Sequence, residues 1–160
     1  QDQVFARILT FGKALGCHGA IVAGSTQLRE FLINFSRPFI YTTALPLHTV
    51  VTIKHAYRLL PGMQAEREQL KTLSVYLKKV VNGAGKFSLT QHKTPIHALS
   101  GLPPETLGKL AQKLQQNGFD VRPIFAPTVP QGQECLRIIV HAFNTTSEID
   151  TLAQIISRNT

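Results

Sequence analysis

Hydrophobic positions in the first third of the chain form short, almost continuous apolar runs. The segments "VFARILT" (4–10) and "GAIVAGS" (19–25) are typical of strands in an interior sheet that is covered on both faces. Helical spacing follows over residues 26–36 and 46–60, and prolines end both helices. Between them, "FIYTTALP" (39–46) predicts an extended segment.

Apolar and polar positions alternate with clearer periods in the rest of the chain. Helical stripes with start and stop residues predict three helices, at 63–81, 103–117 and 147–158. Thr145 and Glu148 have the spacing of a capping box for the last of them. Strands are predicted within residues 94–101, 119–126 and 134–143. This order of elements predicts helices packed on a small, mainly antiparallel sheet.

The two patterns together predict an α/β fold with a boundary near residue 59. Residues 59–160 contain a self-consistent set of helices and strands, and we expect them to form a small C-terminal α/β domain. Residues 1–58 have buried character but no partners for it within the chain. We therefore expect residues 1–58 to comprise the end of a larger domain and a linking helix.

Composition indicates a globular protein, with 160 residues of which 43% are hydrophobic. No apolar run approaches the roughly 20 residues that a membrane span needs, and the first residues lack the features of a signal peptide. The two cysteines, Cys17 and Cys135, form neither a disulfide framework nor a metal site. We expect packed thiols, no bound metal and no membrane association, in a cytoplasmic protein.

A formal net charge of +8 raises the question of nucleic-acid binding. The basic residues are scattered, however, and Lys78 and Lys79 are the only adjacent pair. This distribution favours a solvated surface over a nucleic-acid interface. Such a surface can include a positively charged pocket entrance for a small anion, such as a phosphate or a carboxylate.

Lys13 is unusual because it lies between glycines in "TFGKALGCHGA" (10–20). A Walker phosphate loop does not fit, since Arg7 stands where that motif needs glycine and Ala14 where it needs Ser or Thr. A Schiff-base lysine is a second interpretation, because small neighbours allow a flat aldehyde cofactor to approach the backbone. A solvated turn lysine is the third, and the spacing alone leaves it open.

Four segments in order resemble the α-oxoamine synthase family: "TFGKALG", "GAIVAGS", "RPFIYTTALP" and "PTVPQGQECLRI". These are pyridoxal-phosphate enzymes of the aspartate-aminotransferase fold, and the resemblance covers almost the whole chain. It is strongest to the biotin-pathway branch, and it implies an acyl-CoA:amino-acid C-acyltransferase. Such an enzyme joins an amino acid, here alanine, to an acyl-CoA such as pimeloyl-CoA with loss of carbon dioxide. The 2-amino-3-ketobutyrate CoA ligase branch is the alternative within the family.

The resemblance also implies roles for individual residues. Lys13 matches the lysine that holds pyridoxal phosphate and moves protons at the amino-acid α-carbon, and Thr10 matches a threonine that contacts the cofactor phosphate. Thr43 matches a residue that reaches the partner's cofactor phosphate in a homodimer, with Thr42 as the alternative. Arg137 matches the arginine that binds the substrate α-carboxylate, and Thr128 borders the same substrate.

A chemical argument that does not depend on the resemblance also supports Arg137 as a carboxylate-binding residue. A planar fork on a rigid strand suits a carboxylate, and we expect Leu136 and Ile138 to surround Arg137, so that an unpaired arginine there would be costly.

Departures from the family pattern occur at His18, at Phe125 and at Cys135, whose roles the sequence leaves undefined. Relatives are longer, and their earlier residues supply a histidine and an aspartate that contact the cofactor ring. Asp2 is the only carboxylate before Lys13 in this chain. We therefore expect a C-terminal fragment that is inactive alone and binds the cofactor weakly or not at all. A non-catalytic α/β binding or assembly module is the alternative outside the enzymes.

Overall fold

An antiparallel hairpin and two helices make up the first part of the computed structural model, which describes residues 3–83, 87–90 and 93–159. Strand β1 (Ala6–Thr10) pairs with β2 (Ala20–Gly24), and Thr10 lies opposite Ala20. Helices α1 (Thr26–Phe35) and α2 (Leu47–Leu59) follow. A 3₁₀ turn continues α2 over Leu60–Gly62, where Pro61 stops the α-helix.

The hairpin strands are exposed, although their apolar sequences predict cover on both faces. Ile8 is 74% exposed and Phe5 is 80% exposed. Phe11, Cys17 and Thr49 are the buried residues of the first unit among those that the structure describes. The chain forms the two strands as expected, but most of their residues are exposed, although Leu28 of α1 lies against Gly24 of β2.

The segment between α1 and α2 is not extended throughout, so that prediction is wrong in its first half. Helix α1 begins at the cap Ser25, whose hydroxyl accepts a hydrogen bond from the Leu28 N–H at 3.1 Å. The chain then turns over residues 37–41, because the Ser36 carbonyl accepts the N–H groups of Phe39 and Ile40, both at 2.9 Å. Residues 42–46 then lead to α2 without turn or regular secondary structure.

A four-stranded sheet and three helices form the second part. Helix α3 (Gln64–Asn82) is followed by β3 (Ser88–Leu89), β4 (Ile96–Ser100) and α4 (Pro104–Gln116). Strands β5 (Arg122–Ile124) and β6 (Cys135–Ile139) and helix α5 (Thr146–Arg158) complete it. The strand order is β3-β4-β6-β5, and every pair is antiparallel. This confirms the predicted antiparallel sheet, whereas β3 was not predicted because it has two residues.

One face of this sheet carries the hydrophobic core. Burial alternates along β6: Leu136 and Ile138 are buried, whereas Arg137 and Ile139 are exposed. Each of the three helices contributes buried side chains to the same cluster, among them Leu73, Leu77, Leu107, Leu110, Leu114, Leu152 and Ile156. The Tyr76 hydroxyl also donates a hydrogen bond to Asp150 at 2.7 Å and joins α3 to α5. The helices therefore cover one face, and the other face stays open.

The ends of the helices agree with the sequence signals. The Thr145 hydroxyl accepts the Glu148 N–H at 3.2 Å, and the Glu148 carboxylate accepts the Thr145 N–H at 2.8 Å. This is the predicted capping box. The hydrogen bond from the Thr145 N–H lowers the pKa of the Glu148 carboxylate, and one from the Asn144 side chain lowers it further. None of the described helices is long and apolar enough to cross a membrane.

The chain divides into two units, Gln1–Met63 and Gln64–Thr160. The assignment of residues 1–58 to a large cofactor domain and of 59–160 to a small C-terminal domain remains a proposal, because it concerns a longer protein.

His97 is a polar side chain enclosed by the core. It lies on β4 opposite Ile138, is fully buried, and neither ring nitrogen has a hydrogen-bond partner within the described residues. Burial lowers the pKa of His97, and the nearby charge of Lys78 lowers it further. The folded unit therefore holds this imidazole in its neutral form.

We expect the free energy of unfolding to fall as the pH drops below about 6.5, the ordinary pKa of histidine. In that range the unfolded chain binds a proton at His97 that the folded chain does not, at a cost of at most about 1.4 kcal/mol for each pH unit. The substitution His97→Leu should remove this part of the pH dependence. Urea unfolding followed by circular dichroism at about pH 7.5 and about pH 5.5, one unit on either side of that pKa, measures it.

His141→Leu is the matched control, because His141 is exposed in the same unit. An unchanged pH dependence in His97→Leu would show that the buried imidazole is not its source.

Candidate functional site

Lys13 lies in a closed loop that connects β1 to β2. The Phe11 N–H donates to the Gly19 carbonyl and the Cys17 N–H donates to the Phe11 carbonyl, both at 2.9 Å. Inside this closure the Lys13 carbonyl accepts the Gly16 N–H, also at 2.9 Å. Gly16 has a φ of +64°, which favours glycine. Backbone hydrogen bonds therefore hold Lys13 at the first position of a four-residue turn.

The base of this loop is anchored on α2. Phe11 is 4% exposed, and its ring packs edge-to-face against Tyr57 with centroids 6.0 Å apart. Gly19 has a φ of +106°, and a Cβ there would lie 3.2 Å from the Leu45 Cδ1. The close packing in this stretch thus belongs to Phe11 and Gly19, while Lys13 itself is exposed.

Gly12 has room for a side chain. A Cβ at this position would meet only the Cys17 carbonyl oxygen, at 3.6 Å, which is an ordinary contact. Gly24 differs, because a Cβ there would lie 2.6 Å from the Leu28 Cδ2 and 3.1 Å from the Phe5 carbonyl oxygen. The described fold therefore requires glycine at position 24 for space but does not require it at position 12.

Thr10 ends β1 three residues before Lys13, and both side chains are exposed. Within the part of the chain that the structure describes, neither side chain makes a hydrogen bond or an ion pair. A hydroxyl and an amine on one anchored hairpin are groups that can bind a phosphate and form a Schiff base.

Thr43 lies in the irregular segment before α2, and its side chain is also without a partner among the described residues. The Thr42 hydroxyl, in contrast, donates to the Pro38 carbonyl at 3.1 Å. This difference favours Thr43 over Thr42 as the residue whose hydroxyl is available to a ligand.

Arg137 projects from the open face of the four-stranded sheet. In register it stands between Ala98 of β4 and Arg122 of β5. The argument that Leu136 and Ile138 would surround it was wrong, because side chains alternate along a strand and these two point to the opposite face. No ion pair of Arg137 occurs among the described residues, so its guanidinium is available to solvent.

Thr128 lies in the connection from β5 to β6, where its N–H donates to the Phe125 carbonyl at 3.0 Å. Its side chain is exposed and has no partner in the described ranges. Cys135, at the start of β6, is half-buried. Burial raises the pKa of its thiol more than the nearby Arg137 lowers it, which agrees with a packed thiol.

The predicted site residues therefore fall into two groups. Thr10, Lys13 and Thr43 belong to the first unit, and Thr128 and Arg137 belong to the second. The sequence interpretation did not include Arg122, since its position opposite Arg137 follows from strand register and has no local signal.

The profile of the aminotransferase class I and II family matches residues 5–156. The chain belongs to this family. Over 98% of its length it is 39% identical to the 8-amino-7-oxononanoate synthase of Emericella nidulans, and this match covers 39% of that enzyme. It is also similar to the crystal structure of the 8-amino-7-oxononanoate synthase of Francisella tularensis, with a TM-score of 0.85 and 27% identity.

The match to the Francisella structure covers 96% of this chain and 45% of that one. A structure of SPT (serine palmitoyltransferase) with a pyridoxal-phosphate internal aldimine is also similar. Its TM-score is 0.88 and its identity 26%, over 98% of this chain and 40% of that one. Members of the family use pyridoxal phosphate, and the chain matches the C-terminal portion of their fold. It spans about 40% of the curated relatives' length. These findings confirm the expected fold class and the resemblance to the α-oxoamine synthases.

We expect Gly12→Ala to leave the free energy of unfolding within about 1 kcal/mol of the original chain, because the added methyl group meets no close atom. Gly24→Ala should destabilise the chain by about 1–3 kcal/mol, since Leu28 and the backbone at Phe5 must move. Urea unfolding of the two variants measures the difference. A large loss of stability in Gly12→Ala would show that the fold itself requires this glycine.

Proposed function

We propose that this chain carries the lysine-bearing and carboxylate-binding part of a pyridoxal-phosphate-dependent acyltransferase of the 8-amino-7-oxononanoate synthase type. The reaction is the decarboxylative condensation of an amino acid, alanine, with an acyl-CoA such as pimeloyl-CoA, as a step in biotin synthesis. The observation that carries the proposal is the 39% identity to the Emericella enzyme over 98% of the chain.

Lys13 is the catalytic residue in this proposal. Its exposed amine, on an anchored turn, would hold the cofactor covalently and would move a proton at the amino-acid α-carbon. Pyridoxal phosphate, when bound, supplies the electron sink for the carbanion at that carbon. The available space at Gly12 supports this assignment, because a flat ring can approach the backbone there.

Thr10 and Thr43 are the proposed phosphate ligands. The Thr10 hydroxyl has no partner in the described part of the chain, and Thr10 is the last residue of β1, which leads into the Lys13 turn. Thr43 serves the cofactor of the second subunit in a homodimer. Its hydroxyl makes no internal hydrogen bond among the described residues, as this role requires.

Arg137 and Thr128 are the proposed substrate-binding residues of the second unit. The exposed guanidinium of Arg137 offers two parallel N–H donors to the α-carboxylate, and Thr128 borders the same substrate. We further propose that the 160-residue chain alone lacks synthase activity and retains the cofactor weakly or not at all. Its length of about 40% of its relatives supports this, since stable retention needs contacts to the cofactor ring as well.

A chimera tests the role of Lys13. This chain replaces the corresponding C-terminal part of the Emericella enzyme. The chimera is then tested for its ability to support growth of a biotin-requiring strain, and its bound cofactor is measured by absorbance. Lys13→Ala should abolish both growth and the covalent cofactor band, because no other group can form the Schiff base at that position. Borohydride reduction and peptide mass analysis should locate the cofactor on Lys13.

Lys54→Ala is the matched control, since Lys54 lies on α2, outside the loop. A chimera that binds no cofactor, although it folds and dimerises, would favour a non-catalytic module. Activity with glycine and acetyl-CoA in place of alanine and pimeloyl-CoA would favour the 2-amino-3-ketobutyrate ligase type.

The substitution Arg137→Lys in the same chimera should raise the KM for alanine at least about tenfold, because lysine keeps the charge but loses the bidentate hydrogen bonds. The cofactor absorbance should not change, since Arg137 is assigned to the substrate alone. Steady-state kinetics measures the effect, and Arg158→Lys at the end of α5 serves as the control. A normal KM for alanine would contradict the assignment of Arg137.

A further inference from the structure

Two arginines face the same side of the sheet in the second unit. Arg122 and Arg137 are direct partners in the antiparallel β5–β6 pairing, and both are exposed. Directly opposed residues of antiparallel strands project from one face with their Cβ atoms about 5 Å apart. Like charges at this spacing repel one another, and an anion between them would remove the repulsion.

The arginine pair lines a groove at the edge of the sheet. Strand β5 pairs with Cys135, Leu136 and Arg137, and no β5 residue is paired with the end of β6 beyond them. A cavity of about 620 Å³ lies here, with residues 117–122, 137–141 and 143–144 among its lining. The aromatic residues Phe119 and Phe143 and the amide residues Asn117 and Asn144 are among those that line it. The groove thus has the size and the mixed lining of a small-molecule site.

The acidic groups of the groove, Asp120 and Glu148, are already bonded. Glu148 accepts the N–H of Thr145 in the capping box. Asp120 contacts Arg122 at 2.6 Å, but the side chains of this ion pair are 80% and 61% exposed, so solvent screens it and a ligand can replace it. Arg137 has no acidic partner among the described residues.

We propose that Arg122 and Arg137 together bind a ligand that carries two negative charges close to each other. The inference rests on the proposed function in one respect, namely that Arg137 holds the amino-acid carboxylate. Arg122 then binds a second anionic group at the same site and determines whether a charged or a neutral substrate is preferred. The two charges belong either to a pair of carboxylates or to one phosphate, and both have the oxygen acceptors that a guanidinium fork binds.

Anion titrations of the 160-residue chain, followed by NMR of its backbone amides at constant ionic strength, test this. Succinate, inorganic phosphate and acetate are the probes. We expect succinate or phosphate to bind at least fivefold more tightly than acetate, with shifts at residues 122, 137 and 139–141. The tighter of the two indicates which arrangement of charges the groove prefers.

Variants of the arginine pair sharpen the test. Arg122→Gln should reduce the affinity for the dianion to that for acetate, and Asp120→Asn should increase it severalfold because it frees Arg122. Arg158→Gln removes an equal charge from the end of α5 and should change nothing. Equal binding of acetate and both dianions, or an unchanged affinity in Arg122→Gln, would overturn the proposal.

These outcomes are independent of the cofactor chemistry. A chimera that fails to load pyridoxal phosphate on Lys13 would contradict the proposed function and leave the anion titration intact. An equal affinity of the Arg122→Gln and Arg158→Gln variants for the dianion would contradict this inference alone.

Discussion

One-sided packing of the four-stranded sheet is the constraint on which the second unit and its part of the site both depend. Burial of Leu136 and Ile138 under the helices fixes the register of β6, because a shift by one residue would expose both. The same alternation turns Arg137 to the open face and brings it opposite Arg122 of β5. Hydrophobic burial on one face thus orients the cationic side chains on the other, and no separate interaction is needed to place them.

The first unit depends on a local constraint instead. Phe11 and Gly19 close the loop against α2, while the outer surfaces of β1 and β2 remain exposed, as Phe5 and Ile8 show. Contiguous apolar surface of this kind usually marks a contact with another part of a protein or with a partner. The chain spans about 40% of its relatives, so cover by the rest of the family fold agrees with the proposed function. Lys13 keeps its turn through backbone hydrogen bonds without that cover.

Local signals in the sequence predicted much of the fold. Prolines, glycines and the Thr145 capping box define helix ends through interactions within a few residues, so they can be recognised from sequence. The turn over residues 37–41 and the two-residue β3 were missed, since neither has a strong local pattern. The position of Arg122 opposite Arg137 could not be predicted, because strand register depends on packing between distant segments. The proposed roles came from the family resemblance, and the spacing around Lys13 alone left two interpretations open, a Schiff-base lysine and a solvated turn lysine.

The residues proposed to act on ligands contribute little to the fold. Lys13 and Arg137 are exposed and make no ion pair among the described residues, so replacing either removes little buried surface. Loss of activity in these variants therefore reports on binding or chemistry. Phe11 is the opposite case, because its ring is buried and anchors the loop that presents Lys13. A variant at Phe11 would change stability and the position of the amine together, and the exposed residues are consequently the ones from which function can be measured.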